Sequence, residues 1–104
     1  MADLFLTPRA EQDLRDLWRF IAEGNPDAAD RVVLGIHRRM QALRRFPRLG
    51  PARPDIAADA RVLVIGTVLV LYAILPDREG VPVGRVEVVA VVDGRRDLAA
   101  LFLP

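Results

Sequence analysis

The chain has 104 residues, 52% of them apolar and 28% charged, with a formal net charge of +1. That is enough for one hydrophobic core in one domain spanning residues 1–104, and too apolar for a disordered chain. Cysteine, serine and lysine are all absent, so every basic residue other than His37 is an arginine. Disulfides, thiolate metal sites, thiol and serine nucleophiles, Schiff-base lysines and P-loop lysines are therefore excluded. The small net charge sets up no strong overall field for nucleic acid, although local arginine clusters can still act.

Residues 3–6 are a short apolar stretch that fits an edge strand or a hydrophobic staple; the strand is the preferred reading. Thr7-Pro8 then reads as an N-cap and first helical position. Over residues 8–23, Ala10, Leu14, Leu17, Trp18 and Ile21 recur at helical spacing, with Glu11 and Arg15 placed to pair one turn apart. Gly24 reads as a left-handed helix stop, and Asn25-Pro26 as the cap and start of a second helix. That helix is expected from Pro26 to about Phe46, with Ala29, Val32, Val33, Ile36, Met40 and Leu43 on its inner face and Pro47 ending it. Arg31, Arg38, Arg39, Arg44 and Arg45 fall between those positions and read mainly as a solvated face.

The segment Pro47-Arg-Leu-Gly-Pro-Ala-Arg-Pro54 fits a fixed irregular connection, and residues 55–60 a short turn. After Arg61 the pattern becomes β-branched, giving strands at 62–65, 68–75 and 85–92 in an antiparallel meander. Gly66-Thr67 reads as a tight hairpin turn and residues 76–84 as a longer loop. The middle strand is apolar on both faces. One face is expected on the helices, the other under cover from an oligomer or a partner. Gly66 and Thr67 interrupt the apolar run 62–75, so no window reaches the roughly 18 residues that cross a bilayer. No secretory signal is visible at the amino terminus, and the expected location is cytoplasmic.

This order of strand, two helices and three strands resembles the RelE/ParE toxin superfamily, with local motifs nearer its ParE branch. The resemblance rests on Leu6-Thr-Pro-Arg-Ala-Glu-Gln-Asp-Leu14, Phe20-Ile-Ala with Asn25-Pro26 and Ala28-Ala29, Phe46-Pro-Arg-Leu-Gly50, Arg61-Val-Leu-Val, Leu71-Tyr72 and Gly94-Arg-Arg-Asp-Leu98. It implies an α+β fold of β-α-α-β-β-β order. It also implies a bacterial toxin of plasmid-stabilisation or chromosomal type, neutralised by a ParD-like antitoxin, with operator DNA reached only through that antitoxin. ParE-type toxins poison DNA gyrase, whereas RelE-type toxins cut messenger RNA on the ribosome; one fold serves both, so the site must decide.

For RNA cleavage the residues are few. Arg61, Arg95 and Arg96 offer phosphate contacts, but Phe102 stands where RelE-like chains often carry a tyrosine, and Asp93 where many relatives carry histidine. His37 reads as a surface imidazole, and a single histidine with no acidic cluster is no metal site. Inhibition by binding, without enzymatic activity or cofactor, is the preferred expectation. An endoribonuclease or a degenerate non-toxic relative are the alternatives.

Arg61, Arg95, Arg96 and Asp97 are the candidate target-binding residues. Taken alone, Gly94-Arg-Arg-Asp-Leu fits equally a turn closed by a weak ion pair and an arginine aimed into the concave sheet face beside Arg61; the resemblance favours the second. Trp18, Leu14, Ile21 and Tyr72 are the candidate antitoxin contacts, Trp18 and Tyr72 also reading as core aromatics. The apolar end 98–104 fits an extra strand, a short turn or a docking tail.

Overall fold

The fold is described from a computed structural model for residues 1–94. Its elements follow the expected order: β1 (Asp3–Leu6), α1 (Pro8–Ala22), α2 (Pro26–Ala42), β2 (Arg61–Ile65), β3 (Val68–Leu75) and β4 (Arg85–Asp93). They form one four-stranded sheet in the order β1-β4-β3-β2, with β2, β3 and β4 antiparallel and β1 added parallel to β4 at the edge. The sequence therefore supports the right fold class, and the candidates Arg95, Arg96 and Asp97 and the segment 98–104 lie outside the described residues. Among the described residues no helix is long and apolar enough to cross a membrane.

Both helix starts are chemical. Thr7 and Asn25 sit in extended backbone, their side-chain oxygens accept from Ala10 N and Ala28 N at 3.1 Å, and a proline opens each helix. Such caps stabilise by about 1 kcal/mol each. The stop between the helices differs from the expectation, because Gly24 is not left-handed; only Gly66 and Gly80 have positive φ among the described residues. Instead Gly24 N and Asn25 N both return to Ile21 O. Asn25, held extended ahead of Pro26 at φ −162° and ψ 98°, turns the chain and makes a left-handed residue unnecessary.

The second helix ends at Ala42, short of Phe46, because Leu43, Arg44 and Arg45 donate to carbonyls three residues back and tighten the turn. Arg44 N–H and C=O do not continue the helix. Its carbonyl accepts from Ala2 N at 2.9 Å, and its Nε donates to Ala2 O at 3.1 Å, tying the amino terminus to the helix end. Arg15 donates to Gln12 Oε1 rather than pairing with Glu11.

Ala10, Leu14 and Leu17 of α1 and Ile36, Met40 and Leu43 of the second helical region pack on one sheet face against Val70, Tyr72, Ile74, Val86 and Val88. Each fully buried large side chain contributes roughly 1.5–3 kcal/mol. Val32 departs from its expected inner position. It is partly exposed, because it lines an open cleft between α2 and the β2–β3 hairpin rather than meeting the sheet. The opposite sheet face has its own cover: Ile56, in the loop before β2, packs on Leu69, Leu71, Ala90 and Val92. The expected need for an outside partner is thus met in part within the chain, leaving Phe5, Val64 and Leu75 exposed.

One irregularity shapes the sheet. Leu71 pairs with Ala90 and Tyr72 with Val88, so Val89 is an extra residue in β4 and forms a β-bulge. Val86 and Val88 face the helices before it and Val91 after it, while Ala90 and Val92 turn to the other face. β1 pairs with β4 only as far as Val88, and beyond that point the start of α1 satisfies the open edge of β4. Thr7 Oγ1 donates to Val89 O at 2.8 Å while accepting from Ala10 N, and Asp13 Oδ2 accepts from Val91 N at 2.9 Å. The same threonine hydroxyl therefore starts the helix and fastens it to the sheet.

Candidate target-binding site

Arg61 and Tyr72 are cross-strand partners at the start of β2 and in the middle of β3. Tyr72 faces the helices, so Arg61 shares that side of the sheet. Both side chains reach the irregular segment that follows α2.

Tyr72 is fully buried, and its hydroxyl accepts from Gly50 N at 2.8 Å and donates to Pro47 O at 2.8 Å. Arg61 Nη1 donates to Gly50 O at 2.9 Å, while Nε and Nη2 grip Asp77 Oδ2 and Oδ1 at 3.0 and 3.2 Å. Arg48 adds a bond from Nη2 to Arg78 O at 2.7 Å. Gly50 is required by close approach. A Cβ there would meet Val62 O at 2.6 Å and the Tyr72 ring and hydroxyl at 2.8 Å.

The charges in this cluster are mutually set. The Arg61 guanidinium, through its two hydrogen bonds, holds the Asp77 carboxyl below the usual carboxylate range, and Asp77 raises Arg61 in return. Burial pushes the Tyr72 hydroxyl above its ordinary value. A depressed Asp77 contributes stability that is present above its unfolded pKa of about 3.9 and lost as pH falls through the lower folded value. Asp77→Asn is therefore expected to be less stable than the parent chain at pH 7, with the gap closing below about pH 4. Urea titrations of both chains across that range check this.

Arg61 is consequently committed at both edges of its guanidinium, and the cluster fixes the segment that follows α2. The segment it holds carries Phe46 and Leu49 at 59% and 46% exposure, beside Arg48. Phe46 is the expected end of the second helix, and neither Leu49 nor Asp77 is among the expected site residues. The available signal was two large apolar residues inside a proline- and glycine-rich stretch, where a core position is improbable.

The antitoxin candidates divide. Leu14 is 5% exposed and Tyr72 fully buried, so both belong to the core and have no surface for a partner. Trp18 is 38% exposed, with its Nε1 donating to Asp30 Oδ1 at 2.8 Å across the helical hairpin, and Ile21 is half-buried beside it on α1.

The family model described as ParE toxin of type II toxin-antitoxin system, parDE, matches residues 4–98. This chain belongs to the ParE toxin family. Among solved structures, one described as a chromosomal ParDE TA system from P. aeruginosa superposes with a TM-score of 0.69 at 18% identity, covering 89% of this chain and 96% of the other. At that identity the likeness is one of fold. No curated protein sequence matches the chain. As a ParE family member it is a toxin component of a type II toxin–antitoxin system, and Arg61, Tyr72, Gly50 and Asp77 hold the shape of one of its surfaces.

Proposed function

We propose that this ParE family toxin acts in the cytoplasm by binding DNA gyrase and stalling its cycle, and that a ParD-like antitoxin neutralises it. The observation that carries this reading is the rigid loop bearing Phe46, Arg48 and Leu49, which is fastened by Tyr72 and Arg61 and exposes apolar side chains to solvent. A preorganised apolar patch with a cationic neighbour suits recognition, because little ordering entropy is lost on docking. Arg95, Arg96 and Asp97 follow the last strand and are proposed to extend the contact. Stabilising one state of the gyrase cycle needs only differential binding to that state.

The chemistry beside Arg61 supports binding over cleavage. Asp77 is a poor proton acceptor while Arg61 holds its pKa down, and the Tyr72 proton is engaged by Pro47 O in a buried site. Trp18 and Ile21 on the helical hairpin suit the apolar face of an amphipathic antitoxin segment, with operator recognition left to that antitoxin.

The test is a supercoiling assay with purified gyrase. The expected result is loss of supercoiling with accumulation of linear, cleaved DNA, reversed by the cognate antitoxin. Untouched gyrase together with cleavage of ribosome-bound messenger RNA would replace this reading with the endoribonuclease one.

A further inference from the structure

Two loops meet at the candidate site. The first, residues 46–50, carries Phe46, Arg48 and Leu49; the second, residues 76–84, joins β3 to β4. The second loop closes on its own backbone, with Val81 N donating to Arg78 O at 3.1 Å and Gly84 N to Leu75 O at 3.0 Å. Its tip turns at Gly80, whose φ of 76° is left-handed. Residues 76–80 are exposed, so no apolar packing fixes them, and a loop of this kind is either held by polar ties or moves.

Two arginines supply such ties, and both join the first loop to the second. Arg61, from β2, donates through Nη1 to Gly50 O on one side and grips Asp77 on the other. Arg48 reaches out of the first loop itself. Its Nη2 donates to Arg78 O at 2.7 Å and to Val81 O at 3.4 Å, so one guanidinium nitrogen spans the turn 78–81. Hydrogen bonds from a charged donor are roughly twice as strong as neutral ones. The Asp77 carboxyl is lowered first by its hydrogen bonds from Arg61 and further by the charge of Arg48, which sets both cations around one acid.

We propose that Arg48 is a positioning residue for target binding: it straps the loop bearing Phe46 and Leu49 to the β3–β4 loop, so that the two present one surface. The proposal rests on the reading of residues 46–50 as the gyrase contact and extends that contact to a loop that none of the recognised motifs covers. Phe46 and Leu49 lie within two residues of Arg48, so a bond that fixes its side chain restricts the segment displaying both. Ordering the two loops before docking removes that cost from binding. Arg48 therefore acts through the carbonyls it holds.

The experiment has two arms, both on the full chain: backbone order parameters of the free toxin by NMR, and inhibition of gyrase supercoiling. In the parent chain the amides of residues 78–81 are expected near about 0.85, the value of rigid backbone, and in Arg48→Ala to fall toward about 0.6 or below. The toxin concentration for half-inhibition is expected to rise about 5-fold in the same variant. Arg45→Gln removes a neighbouring exposed charge that has no partner among the described residues, and should change neither. Circular dichroism confirms that each variant is folded. Unchanged order parameters in Arg48→Ala overturn the strap, and a looser loop with unchanged inhibition overturns the positioning role. An equal loss of inhibition in Arg45→Gln assigns the effect to overall charge and overturns that role as well. A parent chain that leaves gyrase untouched defeats the gyrase reading and the positioning role with it, while the order parameters still decide whether the strap exists.

Discussion

Replacing Gly50 with alanine is expected to destabilise the fold by about 2–4 kcal/mol and to lower Tm by at least about 10 °C. The added methyl would meet backbone on one side, Val62 O at 2.6 Å, and the Tyr72 ring and hydroxyl on the other at 2.8 Å. Neither neighbour can yield cheaply, since Val62 belongs to β2 and Tyr72 is fully buried. Tyr72→Phe is expected to cost about 1–3 kcal/mol, because it strands Gly50 N–H and Pro47 C=O. The double variant should lose less than the sum, as the phenyl ring removes one of the clashing atoms. Thermal unfolding of the two single variants and the double variant measures all three. Independent, additive losses would show that Tyr72 and Gly50 do not act as one unit.

The second large effect is expected at the junction of α1 with the β4 bulge. Asp13→Ala leaves Val91 N–H without its partner inside the sheet and should cost about 1.5–3 kcal/mol. Thr7→Val removes both the helix cap and the bond to Val89 O, about 2 kcal/mol together. In urea, both variants should shift the midpoint with an unchanged slope. Hydrogen exchange at Val91 should speed up selectively in Asp13→Ala. Unchanged protection there would mean that the bulge is held without the carboxylate.

What was legible in the sequence was local. Thr7-Pro8 and Asn25-Pro26 write their own helix starts, because cap and first residue are neighbours, and Gly66-Thr67 marks a hairpin between two β-branched runs. The bulge was not legible. In Val86-Glu-Val-Val-Ala-Val-Val92 nearly every residue is apolar, so alternation carries no phase and Val89 cannot be singled out. Asp13 looks like a surface residue of an amphipathic helix, since its partner lies 78 positions away.

The candidate site was legible in part for the same reason. Arg61 stood out by type and motif, but its partner Asp77 comes from the loop after β3, and nothing local joins them. Leu14 and Tyr72 carried the right chemistry for a partner contact, yet burial depends on what packs over them. Gly50 looked like one more turn glycine among prolines. Its necessity arises only when Tyr72 is brought across 22 residues to touch it.

The most direct measurement compares gyrase inhibition by the parent toxin with that by a Phe46→Ala, Leu49→Ala double variant. Both residues are more than two-fifths exposed, so the variant should fold with little change in stability. If the loop held by Tyr72 and Arg61 is the gyrase contact, the concentration needed for half-inhibition should rise by at least about 10-fold, the loss of a modest interface hot spot. Equal inhibition by the folded variant would contradict that assignment and move the target contact away from this loop.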